Sequence, residues 1–191
     1  APWADYVLIK TEKELSETPE EMYNWIAGAE FADSIGADII NSSLGYSTFD
    51  DPNDDYSVSD LDGRTSIISL GALAAARTGM LVVTSAGNAG GSSWDKLTFP
   101  ADADSILTVG SVTQYGVASS FSSRGYTVDG RVKPNVCARG EGAVVYRSDG
   151  TLAYANGTSL SSPIMAGAAA CLWSTVPDAT AQEVIEALEV S

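Results

Sequence analysis

The chain alternates between short continuous apolar runs and segments whose apolar residues recur at helical spacing. The continuous runs predict buried strands at residues 5–10 (DYVLIK), 37–45 (ADIINSSLG), 80–85 (MLVVTS), 105–112 (SILTVGSV) and 133–138 (KPNVCA). Helical spacing predicts helices at residues 19–34, 64–78, 158–173 and 180–190. Strands without polar alternation, separated by helices, predict an α/β fold with a doubly wound, mostly parallel sheet and helices on both faces, in three layers.

Two local signals refine this prediction. Thr18, followed by Pro19 and two glutamates, is typical of a helix start with a side-chain cap on the first turn. The acidic stretch from Asp50 to Gly63 contains Pro52 and Asn53 and predicts a loop. Its carboxylates favour a solvated loop, and structural calcium between Asp50 and Asp62 is the alternative, although the spacing fits no EF-hand loop. No other cofactor is expected.

Composition limits the classes of function. With 191 residues, 45% of them hydrophobic, the chain is long enough for one domain, which we expect to occupy residues 1–191. A net charge of −15 and a pI near 4.1 argue against nucleic acid or an anionic membrane as partner. No apolar run is long enough to span a membrane. Cys137 and Cys171 match no disulfide framework, zinc or redox pattern, so we expect buried free thiols.

Three polar turns stand where chemistry is expected in such a sheet. They are NSSLG at 41–45, SAGNAGG at 85–91 and NGTS at 156–159. The first two follow predicted strands, and ligands of doubly wound sheets bind at the carboxyl ends of the strands. The third opens a helix rich in alanine and glycine, so it places a serine near a helix N-terminus.

Taken together, these segments resemble the subtilisin family of serine peptidases over nearly the whole chain. The run GTSLSSP at 157–163, followed by AGAAA, is similar to the family's Gly-Thr-Ser-x-x-x-Pro motif. The turn SAGNAG is similar to its oxyanion-asparagine turn, and INSSLG to its substrate-binding strand. FSSRG at 121–125 and VKPNVCARG at 132–140 match later turns less sharply. The resemblance implies a peptide or protein substrate, and an exported parent protein, either secreted or at the cell surface or periplasm.

The resemblance assigns roles that the chemistry of the residues supports. Ser159 would be the nucleophile, and its backbone N–H at the helix start would help to hold a developing oxyanion. Asn88 would donate its side-chain amide to the same oxyanion. Substrate would add as a strand along an edge formed by Ser43, Leu44 and Gly45. The remaining expected substrate-binding residues are Ala86, Gly87 and Thr158.

Each motif also has a plainer interpretation. Ser159 alone could be a helix cap, Asn88 a turn residue between glycines, and Leu44 the end of a buried strand. A nucleotide loop at residues 87–91 is excluded because no G-x-G-x-x-G follows the first strand. An α/β-hydrolase elbow is disfavoured because Ser161 occupies the final glycine position of G-x-S-x-G. Gly157 would permit the tight turn, and Pro163 would fall in the opening turn of the helix.

The chain departs from the family in one respect that matters for catalysis: it contains no histidine. Even the position after Pro163, often histidine in the family, is Ile164. We expect the triad aspartate and histidine to lie upstream of Ala1, so that this polypeptide is an N-terminally truncated peptidase domain, inactive alone. The alternative is a peptide-binding pseudoprotease.

Truncation would also leave a gap in the sheet between the strand at 5–10 and the strand at 37–42. Unpaired backbone at two buried edges is costly. We therefore expect a noncovalently retained N-terminal segment, a moved first strand that closes the gap, or a second copy that completes the sheet.

Overall fold

The computed structural model describes residues 1–191, which form four α-helices around one central sheet. The helices are α1 (Glu20–Ser34), α2 (Ile67–Arg77), α3 (Thr158–Thr175) and α4 (Ala181–Glu189). The strands are β1 (Ile39–Ser42), β2 (Leu81–Ser85), β3 (Leu107–Val112), β4 (Gly125–Tyr126), β5 (Val132–Lys133), β6 (Val136–Arg139), β7 (Ala143–Tyr146) and β8 (Leu152–Ala155). None of the helices combines the length and apolarity that a bilayer span requires.

The central sheet is parallel, in the order β1-β2-β3-β6. Its strands confirm the predicted runs at 37–45, 80–85, 105–112 and 133–138, although each strand is shorter than its run. Two antiparallel pairs, β4 with β5 and β7 with β8, were not predicted. The second pair alternates exposed and covered residues, which is the signal that could have revealed it.

Helices cover both faces of this sheet and so confirm the three-layer prediction. Val82 of β2 packs in one cluster with Trp25 of α1 and Ile68 of α2. Its neighbours Leu81 and Val83 point to the opposite face, where they pack in a second cluster with residues of α3 and α4. This alternation follows from the two-residue period of a strand, which sends successive side chains to opposite faces.

The start of α1 differs from the prediction. Thr18 does not cap the helix with its hydroxyl, because Thr18 Oγ1 is buried without a hydrogen-bond partner. Instead Glu21 reaches back, and its Oε2 accepts from Thr18 N at 3.1 Å while its Oε1 accepts from Lys13 N at 2.7 Å. The buried Glu21 carboxylate therefore ties the preceding loop to the helix start.

The prediction of a strand at residues 5–10 is wrong. This segment makes no backbone pairing, and Leu8 is 95% exposed. Ile9 alone of its apolar residues packs closely on a helix, where its methyl group lies against Gly28 of α1. A strand forms only where it exchanges backbone hydrogen bonds with a neighbouring strand, and residues 5–10 do not pair with the open edge of β1. The moved first strand that would close the gap is therefore also wrong.

The prediction of buried cysteines is wrong as well, although both thiols are free. Cys137 lies on the edge strand β6, where Val136 and Ala138 pack towards α3 and Cys137 faces the other side. The cluster beneath α1 and α2 contains no residue of β6, so nothing covers the Cys137 side chain completely. Cys171 lies on the exposed side of α3.

The loop from Asp50 to Gly63 uses its carboxylates as caps. Asp51 accepts from Asn53 N at 3.0 Å, Asp60 accepts from Ser57 N at 2.7 Å, and Asp62 accepts from Arg64 N at 2.7 Å. These bonds close two short 3-10 turns, Pro52–Asp54 and Val58–Asp60, and lead the chain into α2. The carboxylates of this loop thus stabilise its own turns by accepting hydrogen bonds from backbone N–H groups.

Candidate active site

The three polar turns meet at the carboxyl ends of β1 and β2, against the N-terminus of α3. Ser159 Oγ donates a hydrogen bond to the backbone oxygen of Ser43 at 3.1 Å. In return Ser43 Oγ donates to the backbone oxygen of Ser159 at 3.0 Å. Asn88 bonds to Thr158, the residue before the serine, at 2.8 Å. Residues from three distant parts of the sequence therefore form one site.

Ser159 is the second residue of α3 and is half-buried. The helix begins after Gly157, whose φ of +155° is a conformation that favours glycine. The backbone N–H of Ser159 makes no hydrogen bond, as expected for a donor in the first turn of a helix. This N–H is thus available to a ligand beside the Ser159 hydroxyl.

Pro163 lies in the second turn of α3, not in the opening turn as predicted. A residue at this position would normally donate its N–H to the backbone oxygen of Ser159, four residues earlier, and proline has no N–H to donate. The Ser43 hydroxyl takes that donor's place at Ser159 O. The proline therefore frees the carbonyl through which α3 is joined to the turn after β1.

Asn88 is held by its side-chain oxygen. Asn88 Oδ1 accepts from Thr158 N at 2.8 Å and from Thr158 Oγ1 at 3.0 Å. Thr158 is fully buried, and its hydroxyl also accepts from Gly87 N at 3.3 Å. These bonds fix the orientation of the amide, and Asn88 Nδ2 is left without a partner. Thr158 thereby positions Asn88.

The two free donors face the same space. A side-chain carbon built on Gly157 would lie 3.7 Å from Asn88 Nδ2 and 3.8 Å from Ser159 N. Because residue 157 has no side chain, this space stays open between the two N–H groups. Two convergent donors beside a serine hydroxyl are the arrangement that stabilises the oxyanion of an acyl-transfer intermediate.

The predicted substrate edge is open at Gly45, whose N–H and C=O make no backbone hydrogen bond. Leu44 is half-buried and packs against the core, which fixes this edge in place. Ala86 differs, because it is fully buried and its N–H and C=O bond to Val109 O and Thr98 N. Ala86 is therefore placed to shape the site and not to bind a peptide backbone.

Sequence reasoning missed Thr98. Side-chain carbons built on Gly45 and on Gly87 would lie only 2.2 Å and 2.7 Å from Thr98 Oγ1. The Thr98 hydroxyl thus fits between the two glycines, and it has no hydrogen-bond partner. Gly87 also has a φ of +103°, so its lack of a side chain serves both the turn and this packing.

The Ser159 hydroxyl bonds to a backbone oxygen and to no charged side chain. Acidic residues cluster on the far side of Tyr46, which follows Gly45 and donates to Glu12 Oε1 at 2.6 Å. Burial, and then the bond to Glu12, raise the pKa of Tyr46. Glu12, Glu17 and Glu21 bring carboxylate oxygens within 4.8 Å of one another, which is close enough for a shared cation. Burial, and then the charge of Glu21, raise the pKa of Glu17.

Comparison with known proteins agrees with this geometry. The model of the Subtilase family matches residues 2–191. Subtilisin E of Bacillus subtilis (strain 168) is 34% identical over 191 residues, which cover 99% of this chain and 44% of that protein. A thermophilic serine proteinase of Bacillus sp. (strain AK1) is 35% identical over 143 residues, covering 74% of this chain and 29% of that protein.

Solved structures lead to the same result. The self-cleaved protease domain of PatA superposes with a TM-score of 0.70 at 27% identity, covering 86% of this chain and 57% of that one. The chain spans about half the length of the curated relatives it matches. The sequence motifs, the parallel sheet and the three converging turns agree with these matches, and the chain belongs to the subtilase family of serine peptidases.

Proposed function

We propose that this chain carries the nucleophile and the oxyanion site of a serine endopeptidase that cleaves peptide bonds through an acyl-enzyme on Ser159. One observation carries the proposal: Ser159 N and Asn88 Nδ2 are both free and face one open space beside the Ser159 hydroxyl. A serine that served only as a helix cap would not require an unpaired amide from a second turn, held in place by Thr158.

The geometry supports the following reaction. The substrate backbone pairs with the free N–H and C=O of Gly45, which places the scissile carbonyl carbon near Ser159 Oγ. Oγ attacks this carbon, and the carbonyl oxygen gains negative charge that Asn88 Nδ2 and Ser159 N stabilise. The peptide C–N bond then breaks as the carbonyl re-forms, and the amine takes up the proton that Ser159 Oγ released. Water hydrolyses the resulting ester, which releases the acid and returns a proton to Ser159 Oγ.

The proton of Ser159 needs an acceptor that these 191 residues do not contain, since they include no histidine. We propose that a base and its carboxylate partner come from outside these residues, and that this chain alone turns over peptides several orders of magnitude more slowly. The same external segment, or a second copy, would pair with the open edge of β1. By the same family relationship we propose that the parent protein is exported.

A fluorophosphonate probe, which labels activated serines, tests this proposal. The full-length natural polypeptide that carries these residues should label, and peptide mapping should place the adduct on Ser159. The 191-residue chain alone should label far more slowly. Ser159→Ala should abolish labelling of the full-length protein.

Ser174→Ala is the matched control, because Ser174 lies on the same helix and its hydroxyl bonds only to Cys171 O. In the full-length protein this variant should be labelled at the same rate as the unmodified sequence. Absence of labelling in the folded full-length protein, or labelling that survives Ser159→Ala, would refute the peptidase proposal.

Peptide binding without hydrolysis is the second candidate. It is favoured by the bond from Ser159 Oγ to Ser43 O, which directs the hydroxyl at the substrate edge and not at a base. A folded full-length protein that is silent to the probe but binds extended peptides would support this candidate.

A further inference from the structure

A basic cavity lies beside the active site of this strongly acidic chain. The cavity measures about 450 Å³ and is lined by Lys96, Arg124 and Lys133. These are three of only ten Lys and Arg residues in a chain of net charge −15. A single carboxylate, that of Asp95, lines the same cavity, and its Oδ1 already accepts from Gly91 N at 2.9 Å.

Lys133 also lines this cavity, but its ammonium group is directed towards a neighbouring cavity. Its side chain is 4% exposed, and its Nζ donates to Ile106 O at 3.0 Å and to Asn135 Oδ1 at 2.8 Å. Ile106 and Asn135 line the neighbouring cavity and not this one, so the direct cationic ligands of this cavity are Lys96 and Arg124. No carboxylate oxygen lies within ion-pair distance of Nζ. Burial, and then the charge of Arg131, lower the pKa of Lys133 to about 8.

The other two cations are also without ion-pair partners. The Lys96 side chain lies against Gly125. Arg124 is exposed at the other side of the cavity. Tyr126 and Val132, which are 70% and 66% exposed, complete the wall between the charges. The cavity thus combines unpaired cations with apolar surface.

The cavity adjoins the residues that shape the active site. Lys96 is two residues from Thr98, whose hydroxyl fits between Gly45 and Gly87. Arg124 directly follows Ser123, whose Oγ accepts from Ala89 N at 3.0 Å in the turn that carries Asn88. Two residues of extended chain span at most about 7 Å, so a peptide at the active site can reach this cavity.

We propose that this cavity binds acidic side chains of an extended peptide. Carboxylates at alternate positions lie on one face of an extended peptide, where they would neutralise Lys96 and Arg124. A nucleic acid is disfavoured because the net charge of the chain repels a long polyanion. That the peptide is part of a substrate rests on the proposed function, whereas the binding itself does not.

Fluorescence anisotropy with the 191-residue chain tests this proposal without any need for catalysis. The probe is a labelled octapeptide that alternates glutamate and valine, and the comparison peptide has glutamine in place of glutamate. We expect tighter binding of the acidic peptide, weakened by salt. The double change Lys96→Gln and Arg124→Gln should weaken binding by about tenfold.

Arg147→Gln is the matched control, because Arg147 is an exposed cation in the turn between β7 and β8, outside the cavity. Arg147→Gln should bind the acidic peptide with the same affinity as the unmodified chain, and thermal melts should show that all variants are folded. Equal binding of both peptides, or full affinity in the folded double variant, would overturn the proposal. So would tighter binding of an oligothymidylate of equal charge, which would indicate a nucleic-acid site. None of these results depends on labelling of Ser159, so the two proposals fail separately.

Discussion

Asn88 has two functions that different substitutions can separate. Its side-chain oxygen holds Thr158, and its side-chain nitrogen faces the open space at Gly157. Asn88→Ala removes both, and it leaves the fully buried Thr158 N–H without a partner. An unsatisfied buried donor costs about 1–3 kcal/mol. For a chain of this length that loss lowers the melting temperature by roughly 2–12 °C.

Asn88→Asp keeps an oxygen for Thr158 and removes the donor. Its carboxylate would also lie at the N-terminus of α3, where a negative charge is favourable, so stability should be unchanged or higher. Both variants lose the oxyanion donor, so in the full-length protein we expect labelling of Ser159 to slow by roughly 100- to 1000-fold.

Thermal unfolding of the 191-residue chain and probe kinetics of the full-length protein measure the two effects independently. Equal destabilisation by Asn88→Ala and Asn88→Asp would refute the structural role of Asn88 Oδ1. If Asn88→Asp is labelled at the same rate as the unmodified full-length protein, the oxyanion role of Asn88 Nδ2 is refuted.

Three further predictions concern stability. The pKa of Lys133 is about 8 in the folded chain against an ordinary 10.5, so between these pH values only the unfolded chain holds the proton. The free energy of unfolding of the unmodified chain, relative to that of Lys133→Met, should therefore be constant below pH 8 and rise by about 3 kcal/mol from pH 8 to 10.5. Urea titrations measure this difference, and a difference that does not change with pH would contradict the burial of an unpaired charge. Gly87→Ala should lower the free energy of unfolding by about 1–3 kcal/mol, because the new methyl group would overlap Thr98 Oγ1 in a strained turn. An unchanged urea midpoint would refute this close packing. Ser43→Ala should cost about 1 kcal/mol, because the Ser159 carbonyl would lose the hydrogen bond from the Ser43 hydroxyl. A neutral result would show that water replaces the hydroxyl.

Much of the fold follows from the sequence because its strands are buried on both faces. Runs such as residues 80–85 have no polar alternation, and only a central parallel strand covered by helices satisfies such a run. The segment at 5–10 has the same local pattern, yet it forms no strand. Strand formation depends on a partner elsewhere in space, and a local pattern carries no information about that partner.

The main residues of the site were also predicted from the sequence. Ser159, Asn88 and the edge at Ser43 lie together as the motifs imply, because turns at the carboxyl ends of adjacent parallel strands share one edge of the sheet. Thr98 was not singled out, since its importance depends on the close approach of two glycines from other turns. The role of Pro163 was also missed, although the helix start at Thr158 was predicted, because the partner of the carbonyl that it frees is Ser43 in a distant turn.

The central claim is that Ser159 N and Asn88 Nδ2 hold one oxyanion beside the reactive Ser159 hydroxyl. A crystal structure of the full-length protein after reaction with the fluorophosphonate tests this claim most directly. The account predicts phosphorus bonded to Ser159 Oγ, with its phosphoryl oxygen about 2.7–3.1 Å from both nitrogen atoms. An unmodified Ser159, or a phosphoryl oxygen directed away from Asn88, would contradict the account.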